Sequence, residues 1–209
     1  MSGHRFFAAI YDRLMASTEE AGLRDMRRVL LVSAAGRTLE LGAGTGLNLA
    51  HYPEGVTELV LTEPDTYMAR RLRERLDGEP REGRATEVVE APAETLPFEP
   101  ASFDTVVSTL CLCTVDDPEA VIAEVERVLK PGGRFLYVEH VRSDSPRLAG
   151  WQDRLERPWG WFAGGCHPNR DTAATVAASG LEASDPAQGE LPKAPPLVRP
   201  LIRGEATKA

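Results

Sequence analysis

The turn Glu40-Leu41-Gly42-Ala43-Gly44-Thr45-Gly46 sets three glycines two apart, and a main chain without Cβ atoms lets a ligand approach closely. About twenty residues on, the usual βαβ separation, Glu63 offers a carboxylate that can accept hydrogen bonds from both hydroxyls of a ribose. The glycines fall as G-x-G-x-G, with Leu47 where a dinucleotide fingerprint has its third glycine, which argues against a nicotinamide cofactor. No G-x-x-x-x-G-K-S/T segment occurs, so a phosphate-cradling P-loop is excluded. On the residues alone the turn is either a nucleotide-type site or a tight strand-to-helix link, and Glu63 either a ribose ligand or a solvated strand end.

Two histidines and three cysteines come next. His140 directly follows an apolar strand and has the chemistry of a base toward a thiol or phenol, with a structural histidine as the equal alternative. His167 lies in Gly164-Gly165-Cys166-His167-Pro168, a loop expected over a pocket. Cys111 and Cys113, two apart at a strand end, are expected to share one face. With no second ligand pair at metal spacing they read as small buried apolar side chains, and no metal is expected. Trp151, Trp159, Trp161 and Phe162 suit an apolar acceptor pocket, a lid or plain core.

Alternating strand and helix patterns must position these groups. Residues 6–32 carry apolar side chains at helical spacing from Phe6 and Phe7 to Leu30, with a capping signal at Ser17-Thr18-Glu19-Glu20 that splits them into two helices. Strands are predicted at 38–41, 59–62, 87–90, 103–110 and 134–138. Helices are predicted from the glycine turn to His51, over 66–76, and over 118–129 with Asp117 as cap and Pro131-Gly132-Gly133 as stop. Beyond His140 come helices at 147–161 and 172–179, the second capped by Gly180, then weak strands near 181–183 and 198–206 in a proline-rich stretch. Such alternation predicts a parallel sheet covered on both faces.

The 209 residues set a prior of one domain, with helices over 1–36, a core over 37–140 and an acceptor side over 141–209. Net charge is 24 − 32 = −8, and no Lys/Arg cluster marks a nucleic-acid surface. No apolar run reaches membrane-spanning length and no signal sequence is visible, so a cytoplasmic protein is expected. The oligomeric state is not legible.

Five segments in order resemble the class I S-adenosylmethionine-dependent methyltransferases. They are Glu40–Gly46, Leu61-Thr-Glu-Pro-Asp65, Ala93-Glu-Thr-Leu-Pro-Phe98, Ser102–Ser108 and Arg127–Arg134. The resemblance implies a Rossmann-like, doubly wound α/β fold with a mostly parallel seven-stranded sheet. It implies S-adenosylmethionine as cofactor, with S-adenosylhomocysteine as product. Gly42, Ala43, Gly44 and Gly46 would line its methionine end and Glu40 would lie near its ammonium. Glu63, with Pro64 beside it, would hold the ribose, Ala93 and Glu94 would meet the adenine edge, and Thr109 and Leu110 would lie beneath. Pro92 stands where many relatives have an Asp for the adenine amino group, leaving that contact to the backbone of Ala93 and Glu94. Tyr11 and Asp12 would close over the cofactor. An in-line displacement needs no covalent intermediate, so Cys166 is not expected as a nucleophile.

A narrower resemblance rests on Thr109-Leu-Cys-Leu-Cys-Thr-Val115, Glu139-His-Val141, Trp151-Gln152, Gly165-Cys166 and Leu197-Val-Arg-Pro200. It is to the thiol S-methyltransferases, which methylate small alkyl thiols, and it makes a small-molecule acceptor with His140 or His167 as base the expectation. Animal members carry an apolar N-terminal anchor that this sequence does not show. Wider relatives methylate quinone precursors and phospholipid headgroups, and a cofactor-binding protein without transfer activity is the alternative of another class.

Overall fold

Apolar runs hydrophobic on both faces assemble side by side in parallel, because the helices that connect them cover the sheet from above and below. The computed structural model describes residues 5–78 and 84–209, with side chains from Ala8 onward in the first helix, so the contacts of Phe6 and Phe7 lie outside the described residues. The chain runs α1 (Arg5–Thr18), a π-helical turn (Glu19–Leu23), α2 (Arg24–Leu31), β1 (Gly36–Leu41), β2 (Val56–Thr62), α3 (Thr66–Gly78) and β3 (Ala85–Val89). It continues through β4 (Phe103–Thr109), α4 (Pro118–Val128), β5 (Leu129–His140), α5 (Pro146–Phe162), α6 (Thr172–Ala177), β6 (Leu181–Ala183), β7 (Ala187–Glu190) and β8 (Pro200–Lys208).

The sheet order is β3-β2-β1-β4-β5-β8-β6, with β7 also on β8. The strands β1 to β5 are parallel and β8 is antiparallel to β5. β6 pairs with Ala206–Lys208 and β7 with Pro200–Arg203, so the two share one edge of β8. Pro186, which has no N–H to give a ladder, lies between them. Among the described residues eight strands thus fill the seven positions expected, the last position broken in two.

Along β5 the side chains alternate between two cores. Phe135 and Tyr137 join Val121, Ile122, Val125 and Val176 on the face covered by α4 and α6. Leu136 and Val138 join Leu30, Leu31 and Leu72 on the face covered by α2 and α3. Because β1 pairs with β2 on one side and β4 on the other, the connections diverge at the β1/β4 boundary, where ligands of open α/β sheets bind beyond the carboxyl ends.

Several local expectations are corrected. Thr18 makes no side-chain cap; the first helix is broken instead by the π-helical turn, where Gly22 adopts φ +141°. After the glycine turn only a 3₁₀ turn forms, Leu49–His51. α4 ends at Val128, before Pro131, because Leu129 already pairs with Phe103. α6 stops at Ala177, and the Gly180 N–H donates to Glu126 rather than closing the helix. Among the described residues no helix is long and apolar enough to cross a membrane.

Candidate active site

The glycine turn leaves β1 at the switch point. Ala43 N–H donates to the Thr62 carbonyl and Gly46 N–H to that of Ala43, each at 2.9 Å. Gly42, Gly44 and Gly46 have φ of +57°, +58° and +85°, where a side chain is strained. Space distinguishes them. A Cβ on Gly42 would sit 2.6 Å from Cys111 Sγ, and one on Gly46 would sit 2.7 Å from Leu49 and Leu72. At Gly44 nothing among the described residues comes nearer than 4.0 Å, the Tyr11 ring among the neighbours. The outer glycines therefore serve packing, and the middle one borders open space.

Two carboxylates frame that space. Glu63, buried past the end of β2, accepts from Gly44 N–H at 2.8 Å and from Asp65 N–H at 2.9 Å. Burial raises its pKa against these bonds. Glu40, buried near the end of β1, accepts from Asn48 Nδ2 at 2.9 Å and from the Tyr52 hydroxyl at 2.7 Å. Desolvation pushes its pKa up to about 7, opposed by those hydrogen bonds and by Arg27. Arg27 of α2 donates to Asn48 Oδ1 at 2.9 Å and to Glu19 at 3.0 Å, and the π-helical turn is what brings Glu19 inward. Sequence reasoning missed Asn48, Tyr52 and Arg27; the only trace is the i, i+4 pair after the turn.

α1 closes on this site. Asp12 accepts from Thr45 Oγ1 and from Arg75 at 2.7 Å, and burial raises the Tyr11 hydroxyl to about 12. Pro64 continues directly from Glu63. Ala93 is buried, while the Glu94 carboxylate accepts from Asp116 N–H at 2.8 Å. Thr109 accepts from Asn48 at 3.1 Å, and Leu110, at φ +55°, donates its N–H to Val138 at 2.9 Å. That left-handed residue ends the strand's alternation, so Cys111 and Cys113 do not share a face. Cys111 packs in the core under α4 and Cys113 in the opposite one. Buried Glu139 holds the intervening loop, accepting from Ser108 Oγ at 2.7 Å and from the N–H groups of Cys111 and Leu112.

The two histidines are not brought together. His140 is buried at the end of β5, its Nε2 2.9 Å from Cys166 Sγ, and its Nδ1 has no hydrogen-bond partner among the described residues. The Cys113 thiol donates to the Leu110 carbonyl at 3.4 Å, and the neighbouring Cys113, His140 and Trp159 indole N–H (3.2 Å) hold the Cys166 thiol far below its ordinary range. His167 donates its backbone N–H to the Cys113 carbonyl at 2.7 Å. Its ring turns away to Glu156 at 2.8 Å, lining a cleft of about 590 Å³ with Arg170 and Asp171. Of the aromatic group, Trp159 packs inward, whereas Trp151, Trp161 and Phe162 are exposed, Trp161 by 87%.

The family described as a methyltransferase domain matches residues 39–137. Over 204 residues the chain is 31% identical to thiol S-methyltransferase TMT1A of Homo sapiens, covering 97% of this chain and 83% of that protein. It is 34% identical over 161 residues to the phosphatidylethanolamine N-methyltransferase of Cereibacter sphaeroides, covering 74% and 76%. A solved S-adenosylmethionine-dependent methyltransferase of Thermotoga maritima, a possible histamine N-methyltransferase, superposes with a TM-score of 0.70 at 22% identity over 98% of each chain. Likeness of this extent, on a sheet whose switch point carries the glycine turn, decides the matter: the chain belongs to the S-adenosylmethionine-dependent small-molecule methyltransferases.

Proposed function

We propose that this methyltransferase acts on the sulfur of a small thiol, with S-adenosylmethionine lying across the carboxyl ends of β1 and β4. The observation that carries the acceptor is the reach of the likeness to human TMT1A. It spans 97% of the chain, and so includes the acceptor side beyond residue 140 as well as the domain match.

The residues fit the cofactor. Open space at Gly44 leaves room for a ligand against the main chain. Two buried carboxylates suit a molecule carrying a sulfonium and an ammonium. Glu63 takes the ribose hydroxyls and Glu40 the ammonium, while Gly42, Ala43, Gly46 and Pro64 shape the walls and Thr109 and Leu110 the floor. The adenine edge falls to the backbone of Ala93 and Glu94, since the Glu94 carboxylate is engaged by Asp116. When bound, S-adenosylmethionine supplies an electrophilic methyl group on its sulfonium. The protein's part is then alignment and exclusion of water, which α1 serves by packing Tyr11 and Asp12 on the turn. A thiol reacts as its thiolate, and His140 is the residue to which we assign the role of favouring that form. His167 contributes through its backbone hold on Cys113.

A second reading, transfer to the amine of a phospholipid headgroup, is favoured by the likeness to the bacterial phosphatidylethanolamine enzyme. Transfer of labelled methyl to alkyl thiols, phenols, amines and phosphatidylethanolamine vesicles separates the two. Label in the thiols is expected. Label confined to vesicles replaces the acceptor with the second reading, and none at all with cofactor bound makes the protein a non-catalytic binder. Glu63→Ala is expected to weaken cofactor binding by about 1.5–3 kcal/mol, the range for hydrogen bonds to a charged group. An unchanged Kd would put the ribose elsewhere.

A further inference from the structure

Cys113, His140 and Cys166 arrive from three separate segments: the loop after β4, the end of β5 and the loop after α5. Their Sγ, Nε2 and Sγ atoms lie within 4.8 Å of one another, and all three residues are buried. We propose that these side chains bind a zinc-class divalent metal ion and leave its fourth coordination position open to a sulfur ligand. The thiol reading above bears only on what fills that fourth position.

Two sulfurs and one imidazole are the donor set that Zn²⁺ takes, and three protein ligands with one vacancy is the pattern of its catalytic sites. Charge favours the ion. A thiolate buried alone is costly, whereas two thiolates around a divalent cation sum to zero. Tetrahedral bonds of about 2.3 Å to sulfur and 2.0 Å to nitrogen hold the donors roughly 3.5–3.8 Å apart. His140 Nε2 therefore has to retreat by about half an ångström from its contact with Cys166.

The surroundings already hold the ligands in place. His140 ends a strand paired on both sides, with Ser108 and Thr109 opposite Tyr137 and Val138 on one flank and Leu201 opposite His140 on the other. His167 N–H bonded to the Cys113 carbonyl ties together the two loops that carry the sulfurs. The Trp159 N–H aimed at Cys166 Sγ is the kind of outer hydrogen bond that orients a ligating atom. No hydrogen bond at Nδ1 dictates the tautomer of His140, so the proton can reside there and leave the Nε2 lone pair for the metal.

The cluster lies at the carboxyl ends of the central strands: Cys113 is three residues past Leu110 and His140 is the last residue of β5. An acceptor thiol entering the vacancy would break its S–H bond, form a sulfur–metal bond and release the proton to solvent. Metal coordination, rather than a free imidazole base, would then hold the acceptor as a thiolate.

The test is metal content. The full chain, loaded with Zn²⁺ and dialysed against metal-free buffer, is assayed by plasma mass spectrometry and by competition with a chromophoric chelator. About one zinc per chain is expected, as is a thiolate-to-metal charge-transfer band when Co²⁺ replaces it. Cys113→Ser and Cys166→Ser should each lose far more affinity than the roughly tenfold that an outer hydrogen-bond partner contributes. Cys111→Ser, outside the cluster, should retain the metal. Absence of both zinc and the cobalt band in the wild type overturns the proposal, and so does equal retention by all three variants. Should the serine variants unfold, as circular dichroism would show, the wild-type stoichiometry and cobalt band decide alone. Thiol methylation by a chain that binds no zinc sinks the metal site and leaves the acceptor reading intact. Zinc binding without thiol methylation does the reverse.

Discussion

Glu40 shows how burial converts an ordinary carboxylate into a group that titrates at physiological pH. Its pKa of about 7 follows from desolvation that the Tyr52 and Asn48 hydrogen bonds only partly offset. An ammonium needs the ionised form beside it, so cofactor affinity should rise about tenfold from pH 6 to pH 8. Calorimetric titration across that range checks this, with Glu40→Gln expected to bind weakly at every pH. In the free protein the folded-state pKa stands above the unfolded one, so the folded chain holds this proton more tightly. Stability should therefore decline as pH rises from the usual carboxylate range to about 7 and level off above it. An equal slope in Glu40→Gln would assign the proton to another group. Glu63 was legible in the sequence because a strand end about twenty residues past a glycine turn is a fixed geometric relation. The Cys113, His140 and Cys166 cluster was not, since only the packing of two loops on a strand end brings its members together.

At the scale of elements, β2, β4 and β5 were legible because burial writes their inner stretches as near-continuous apolar runs. β7 was not. All four of its residues are exposed, and pairing with β8 alone defines it. The π-helical turn was equally hidden: its kink depends on Gly22 at φ +141°, and the local Ser-Thr-Glu-Glu pattern imitates a cap that does not form. Asp117 is the contrasting case, foreseen as a cap and found accepting from Ala120 N–H at 3.0 Å. Asp117→Ala should cost about 1 kcal/mol in chemical denaturation, because the first turn of α4 then loses its side-chain acceptor. A change within error would show that solvent satisfies that turn equally well.

For the whole molecule, cofactor and fold share one free-energy balance, since the turn, the carboxylates and α1 assemble only in the folded chain. At one hundred times its Kd a ligand stabilises the folded state by about 2.7 kcal/mol. For a chain of this length that is an upward Tm shift of roughly 5–10 °C. S-adenosylhomocysteine should produce it in a thermal melt, and Gly44→Val should abolish it, because the new side chain fills the space at that turn. A full shift in that variant would move the binding site off the turn.

The position of β8 has a consequence for how the polypeptide is made. It follows the other seven strands in the chain, yet it lies inside the sheet, between β5 and the broken edge formed by β6 and β7. Until it is synthesised, β5 presents an open flank of unpaired backbone groups from Arg134 to His140, and both segments of that broken edge have nothing to pair with. Until β8 emerges, the chain is therefore a half-sheet with a strand vacancy, which is when a holding chaperone has most to cover.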